Sequence, residues 1–331
     1  MKAFPLVIAL LLLPFILFAN AEAQEIKFET ADGKFKITGT VGYYVANGKP
    51  VESPTGDEKG LSVVIIRPDG KATNPVPVKI LSKKTKQILF GKSEGPPLAI
   101  APFDERKAKA HQKAWAKHLS LPVESTNSIG MKFVVIPPGE FKKGDDTVTV
   151  TKPFQLCIHE VTQSQYVAVV GANPSKFKGA SNPVDSMAWN GAVLFCSLLS
   201  NLPEERAKGR SYRLATGAEW EFACRAGTAT KFYFGDDGSA LGEYAWFNSN
   251  SRGKHSPVGQ KKSNPWGLYD MHGNVWEYTQ DWYQVGSLRA RRGGSWSRDS
   301  GLCTSAFRSG GGPDVRGNDS GFRVVCVQSD R

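Results

Sequence analysis

The conventional enzyme signatures are missing from this chain. There is no GxSxG elbow, no HExxH helix and no Walker loop, so nothing in it supplies an activated serine, a zinc pair or a phosphate cradle in the usual way. Cysteine is sparse: five in 331 residues, none in a CxxC pair and none before Cys157, which argues against a structural zinc module. Charge is also limited, at 22% of residues, too little for a disordered polyelectrolyte or a coiled coil. Acid is outnumbered by base, giving a net charge of +11 and a pI near 9.3, yet no nucleic-acid reading motif accompanies the excess. No nucleic-acid partner is expected. Long apolar runs are confined to the first 18 residues.

What is abundant is turn chemistry: 34 Gly and 20 Pro, a composition that favours a loop-rich fold over a long parallel-sheet enzyme. The length predicts two folded units.

Residues 1–23 read as a secretory signal: a lysine, an uncharged run from Pro5 to Phe18 interrupted by Pro14, then alternating small residues at Ala19, Ala21 and Ala23, with cleavage expected before Gln24. The run is short for a membrane span. The mature chain is therefore expected to be exported, to the periplasm, the cell surface or the medium, with no integral membrane segment. No Cys stands at the cleavage site, which disfavours a lipid anchor. An oxidising compartment favours disulfides, and an odd cysteine count leaves at least one thiol over.

Residues 24–92 show short β-branched and aromatic runs, Lys34–Val41, Leu61–Ile66 and Val76–Leu81, divided by the turn pairs Asp32-Gly33, Asn47-Gly48 and Asp69-Gly70. A small β-barrel is predicted, and the order of strands and turns resembles the SH3-like Sla-homology domain of exported bacterial proteins. Lys79, Lys83, Lys84, Lys86 and Lys92 form a basic run, a solvated face or a contact for an anionic surface. Residues 93–125 read as a linker carrying one short amphipathic helix from Asp104 to Leu119, with Phe103, Ala110, Ala114, Trp115 and Leu119 at helical spacing. His111 and His118 on it lack the further donors a metal needs.

From residue 126 to 329 the chain changes character. Seven of the eight Trp fall between Trp189 and Trp296, among many turns, so large aromatic anchors, cross-links or bound ions must hold the loops. Two helices are predicted: one along Asn190–Leu199, and one along Thr216–Cys224, opened by a capping box of Thr216 and Glu219.

Several segments of this half carry a resemblance. They are Asn127-Ser-Ile-Gly-Met-Lys-Phe-Val-Val-Ile-Pro-Pro-Gly-Glu-Phe141, His159-Glu-Val-Thr-Gln163, Asn182-Pro-Val-Asp-Ser-Met-Ala-Trp189, Tyr212 to Gly227, Asn264 to Tyr278, Arg292-Gly-Gly-Ser-Trp296 and Ser320-Gly-Phe-Arg323. In order and spacing over about 200 residues they resemble the sulfatase-modifying-factor family, whose founder is the formylglycine-generating enzyme. The resemblance implies an α+β, loop-rich, elaborated C-type-lectin-like domain, here preceded by the small SH3-like β-barrel.

The family reaction oxidises a substrate cysteine to formylglycine with O₂, using Cu(I) held by two thiolates, a ligand type that suits that soft ion. The matching positions in this chain are Arg298 and Cys303. One thiol is missing, so copper is not expected, even though Ser295 and Trp276 match residues lining the family pocket. The resemblance also implies a calcium site at Asp270, Gly273, Val275 and Glu277, an all-oxygen set of the kind Ca²⁺ takes. It further suggests a Cys196–Cys326 bridge, and a Cys224–Cys303 bridge is the second pairing considered; the latter would consume the last candidate catalytic thiol. His159 and His272 are isolated and read as core residues. Arg289, Arg291, Arg292, Arg298, Arg308, Arg316 and Arg323 crowd the chain end near Asp314 and Asp319. They serve either as loop staples or, at Arg298 and Arg308, as a ligand cleft.

The reading is an exported, calcium-stabilised domain that binds peptide or glycan. The alternatives are a formylglycine-generating oxidase using Cys303 in an altered way, and a structural adaptor whose barrel tethers the lectin-like domain to another exported protein.

Overall fold

The computed structural model describes residues 95–328 throughout and, before them, five strand segments. The signal segment, the basic run at Lys79, Lys83, Lys84 and Lys86, and most of the turns between the early strands lie outside the described residues. The chain divides into two compact units, residues 1–94 and 95–331.

In the first unit, β1 (Ile26–Glu29), β2 (Lys36–Ala46), β3 (Lys49–Val51), β4 (Ser62–Ile66) and β5 (Val76–Pro77) form an antiparallel sheet in the order β1-β2-β4-β5, with β3 also on β2. The long β2 pairs with β1, β3 and β4, and its register with β4 shifts between Val41 and Tyr43.

The second unit starts with residues expected to be a linker, and they are part of its packing. β6 (Ala99–Ile100) pairs in parallel with β9 (Gly139–Lys143), which continues into β10 (Asp146–Val150). Helix α1 (Glu105–His118) is capped by Asp104, whose side chain accepts from the Lys107 amide at 2.8 Å. Trp115 is buried with Ala116 and Val135, and Gln112 donates to the carbonyls of Val135 and Trp266 at 3.0 and 2.9 Å. A buried Gln bonded across 154 residues of sequence fixes the helix to the domain.

The central sheet orders β12 (Arg210–Leu214), β17 (Val324–Gln328), β11 (Phe154–Cys157), β8 (Lys132–Ile136) and β7 (Glu124–Thr126). Both faces are covered, which is why β11 is buried at every residue. One apolar cluster packs Trp220, Phe222, Trp266, Leu268 and Met271. The other packs Phe133, Tyr166, Phe195, Phe322 and Val324. Around the second lie α2 (Gln163–Val170), α3 (Trp189–Ser200) and the short α4 (Pro203–Ala207); α5 (Gly217–Arg225), opened by the Thr216–Glu219 capping box, supplies the first.

A second sheet orders β15 (Arg308–Gly311), β14 (Leu288–Arg292), β13 (Trp276–Gln284) and β16 (Ser320–Gly321). β13 and β14 form a hairpin with two register shifts, and β16 runs parallel to β13. This sheet brings the calcium-type loop, the Arg298 turn and the chain end together. Among the described residues no helix is long and apolar enough to cross a membrane.

Candidate functional site

Leaving β14, the chain turns on Gly293 and Gly294, both at positive φ (89° and 80°). A Cβ on Gly294 would stand 2.5 Å from Cys303 Sγ, so the turn can form only with glycine there. The turn delivers Ser295, fully buried, whose Oγ lies 3.1 Å from Ser297 Oγ. Ser297 Oγ donates to Asp319 Oδ2 at 3.2 Å, and Arg298 donates to the same oxygen at 3.2 Å. Arg298 keeps 43% of its side chain exposed. Asp319 thus neutralises the guanidinium that stands at the first thiol position.

Cys303 follows a single 3-10 turn, Ser300–Leu302, and points inward. It has no solvent exposure and packs with Phe232, Leu241 and Ala245. Burial pushes its thiol up to about 12, so without a metal the side chain is a protonated thiol at neutral pH. The structure sets an outward guanidinium and an inward thiol where the resemblance implies a thiol pair.

Trp276 is buried, with Phe307 6.0 Å away and the Arg291 guanidinium 5.6 Å from its ring centre. Arg308 lies over Tyr283 and donates to the Trp282 carbonyl at 3.2 Å, a loop-stapling role. Arg291 donates to Ser320 Oγ and the Gly310 carbonyl, and Arg292 to Glu221 and the Ala306 carbonyl. Most of the terminal arginines tie loops to the sheet. Arg298 ties its loop to Asp319 and still faces solvent.

The Asp270–Glu277 loop is bent by positive φ at Asp270, Gly273 and Asn274. Gly273 is required, since a Cβ would lie 2.2 Å from the Trp246 carbonyl oxygen. Asp270 is buried; its Oδ2 accepts the Gly259 amide at 2.6 Å, and its Oδ1 has no partner. Glu277 is engaged at both oxygens: Arg323 donates to each at 2.7 Å, and Trp220 Nε1 donates to Oε2 at 2.8 Å. The loop therefore fits a hard cation at Asp270 and, as a fourth ligand, fits it poorly at Glu277. Nearby Glu160 is fully buried with both oxygens unpartnered; burial first, then Asp270 and Glu277, raise its carboxyl well above the usual range. Burial likewise raises Asp270 to about 6. Glu160 Oε1 and Oε2 and Asp270 Oδ1 are thus buried carboxylate oxygens without a hydrogen-bond partner, the hard donor type that a calcium ion takes. Among the described residues no three His, Cys, Asp or Glu side chains make a metal cluster, so backbone carbonyls would complete the shell.

All five cysteines are free and buried, and neither suggested pair is bridged. Cys224 and Cys303 belong to different apolar clusters, and the Cys224 thiol points to the Met271 carbonyl at 3.8 Å. Cys196 and Cys326 share one cluster as free thiols. His159 Nδ1 lies 2.7 Å from the Glu160 carbonyl oxygen; His272 is stacked on Tyr233, accepts that residue's amide at 3.3 Å, and is lowered to about 3 by burial.

Two features escape the sequence. Glu160 sits inside the His159–Gln163 segment, yet its electrostatic surroundings are set by Asp270, Glu277 and Arg323, all more than a hundred residues away. The pair of Asp185 and His255, 2.8 Å apart with neither side chain exposed, joins residues 70 apart. No local pattern marks either.

The profile of the sulfatase-modifying factor enzyme 1-like domain matches residues 120–327. The chain belongs to that family. It is 29% identical over 247 residues to the chaperone protein LppX of Paenibacillus barcinonensis, covering 58% of this chain and 88% of that one. It is 29% identical to the mouse formylglycine-generating enzyme, with 47% of each chain covered. To the bovine protein named inactive C-alpha-formylglycine-generating enzyme 2 it is 34% identical, covering 43% of this chain and 50% of that one. The chain thus spans about half the length of these last two relatives. Among solved structures, Treponema denticola variable protein 1 superposes with a TM-score of 0.56 at 29% identity, covering 62% of this chain and 99% of that one. PvdO from Pseudomonas aeruginosa superposes with a TM-score of 0.54 at 26% identity, covering 61% and 97%.

Proposed function

We propose that this family member is an exported binding protein, recognising a peptide or glycan, and does not form formylglycine. Its relatives include proteins named as a formylglycine-generating enzyme, as an inactive one and as a chaperone, so membership leaves the activity open. The decision falls on positions 298 and 303. The observation that carries it is the Arg298–Asp319 pair at 3.2 Å beside a Cys303 with no solvent exposure. A single protonated thiol cannot give the two-sulfur coordination that Cu(I) needs.

In this reading Arg298 is the polar contact a ligand meets: exposed, always charged and held in direction by Asp319. Ser295 and Ser297 fix the turn from behind. Calcium, held by Asp270 with the Gly273 and Val275 carbonyls, stabilises the loop that supports Trp276; Glu277 serves Arg323 instead of the ion. The signal segment and a small N-terminal barrel acting as a tether belong to the same proposal.

The test is incubation of the purified mature chain with a Cys-x-Pro-x-Arg peptide, copper, O₂ and a reductant, followed by mass spectrometry. The peptide should keep its cysteine. Loss of about 18 mass units per peptide on aldehyde formation would overturn the proposal.

A further inference from the structure

Away from Arg298 and Cys303, a half-open cavity of about 510 Å³ lies between α3, β12 and the β13–β14 hairpin. That volume is within the range of small-molecule sites. Its lining includes the apolar Trp189, Val193 and Leu214 and the polar Gln280, Arg213 and Arg289.

The two arginines differ. Arg213 is satisfied by a two-pronged pair with Glu219, at 2.7 and 2.6 Å. Arg289 has no carboxylate within ion-pair distance among the described residues. Its guanidinium carbon lies over two indoles, 3.6 Å from the ring centre of Trp189 and 3.5 Å from that of Trp282. One hydrogen bond is made, from Nη1 to the Gln280 carbonyl at 3.0 Å, and Nε has no partner. Asp281, whose charge acts on Arg289 from farther away, is engaged by the Gly217 amide. Trp189 is itself fixed, since its Nε1 donates to the Thr279 carbonyl at 2.8 Å. Arg292 and Arg323 each spend donors on a carboxylate and on several carbonyls; Arg289 makes a single carbonyl bond, its Nε is buried, and its Nη2 has no protein partner among the described residues. A rigid, weakly hydrated fork of donors beside apolar wall is the receptor geometry for a carboxylate attached to an apolar group.

We infer that this cavity binds an organic carboxylate bearing an apolar group of about phenyl size, the carboxylate on the edge of Arg289 and the apolar group against Trp189, Val193 and Leu214. The same chemistry is offered by a free small acid and by the C-terminus of a polypeptide ending in an aromatic residue. The inference is independent of the peptide or glycan reading at Arg298, with which it shares no residue.

The test titrates the purified mature chain with 3-phenylpropionate, with its neutral amide, and with N-acetyl-Ala-Ala-Phe bearing a free carboxylate, following tryptophan fluorescence. At least one of the two acids should bind tenfold or more tightly than the amide. Arg289→Gln should abolish that preference. Val193→Trp, at a side chain 38% exposed, should fill the cavity and weaken binding tenfold or more with the melting temperature preserved. Tighter binding of the tripeptide assigns the site to polypeptide ends, and tighter binding of the free acid assigns it to small molecules. Equal affinity for acid and amide, binding unaffected by Val193→Trp, or no binding of either acid would overturn the inference.

Discussion

Arg298 and Asp319 meet at 3.2 Å on the rim of a turn whose buried side holds Cys303. The turn faces a charge to solvent and a thiol to the core, so the thiol at position 303 is shielded from solvent in the folded state. In the native protein none of the five thiols should react with a thiol-exchange reagent at neutral pH, and all five should react after denaturation. The variant Arg298→Cys should add one fast-reacting thiol. A native thiol that reacts in the unmodified protein, or fewer than five after denaturation without reductant, would count against the free, buried assignment.

Glu221 binds two arginines at once: Arg225 at 2.8 Å on one oxygen and Arg292 at 3.0 Å on the other, all three nearly without exposure. Removing its charge strands two buried cations. Glu221→Gln should destabilise the domain by about 3–5 kcal/mol, read by denaturant unfolding, because a broken buried pair costs more than the pair contributes. A change within about 0.5 kcal/mol, the range of ordinary surface substitutions, would contradict the network.

Asp185 is buried against His255. Burial pushes its carboxyl upward, but hydrogen bonds from His255, Ser186 and the Lys176 amide outweigh that and hold it below the usual 3.8. A depressed carboxylate contributes stability that is present above its unfolded value and lost as pH falls through the folded one. Unfolding free energy should therefore drop below about pH 4 through this group. Asp185→Asn should be less stable at pH 6 and should lack that part of the acid dependence. Parallel pH profiles for the two proteins would refute it.

Calcium should raise the melting temperature in a concentration-dependent way, and a chelator should lower it, since an ion that binds only the folded state stabilises by mass action. Asp270→Asn should shift the response to higher calcium. A melt unaffected by chelator would remove calcium from the account.

Much of this architecture is legible in the chain. The Thr216–Glu219 capping box marks α5, the apolar spacing of Asn190–Leu199 marks α3, and Asp104 opens α1 as its residue type demands. These signals are local. The parts not legible are settled at long range. Residues near 99 read as a linker because a two-residue parallel strand leaves no periodicity, and Gln112 looks like a surface residue until Trp266 reaches it. Glu277 has the chemistry of a calcium ligand, but which cation neutralises it depends on Arg323, 46 residues away. The substitution at 298 is visible in the sequence; the burial of Cys303 against Phe232 and Leu241 becomes visible only in the fold.

The most direct measurement is an anaerobic titration of the reduced, folded protein with Cu(I) against a competing chelator of known affinity. The account predicts that all the copper stays with the chelator and that X-ray absorption finds no protein-bound two-sulfur site. One copper retained per chain on two sulfur ligands would contradict it.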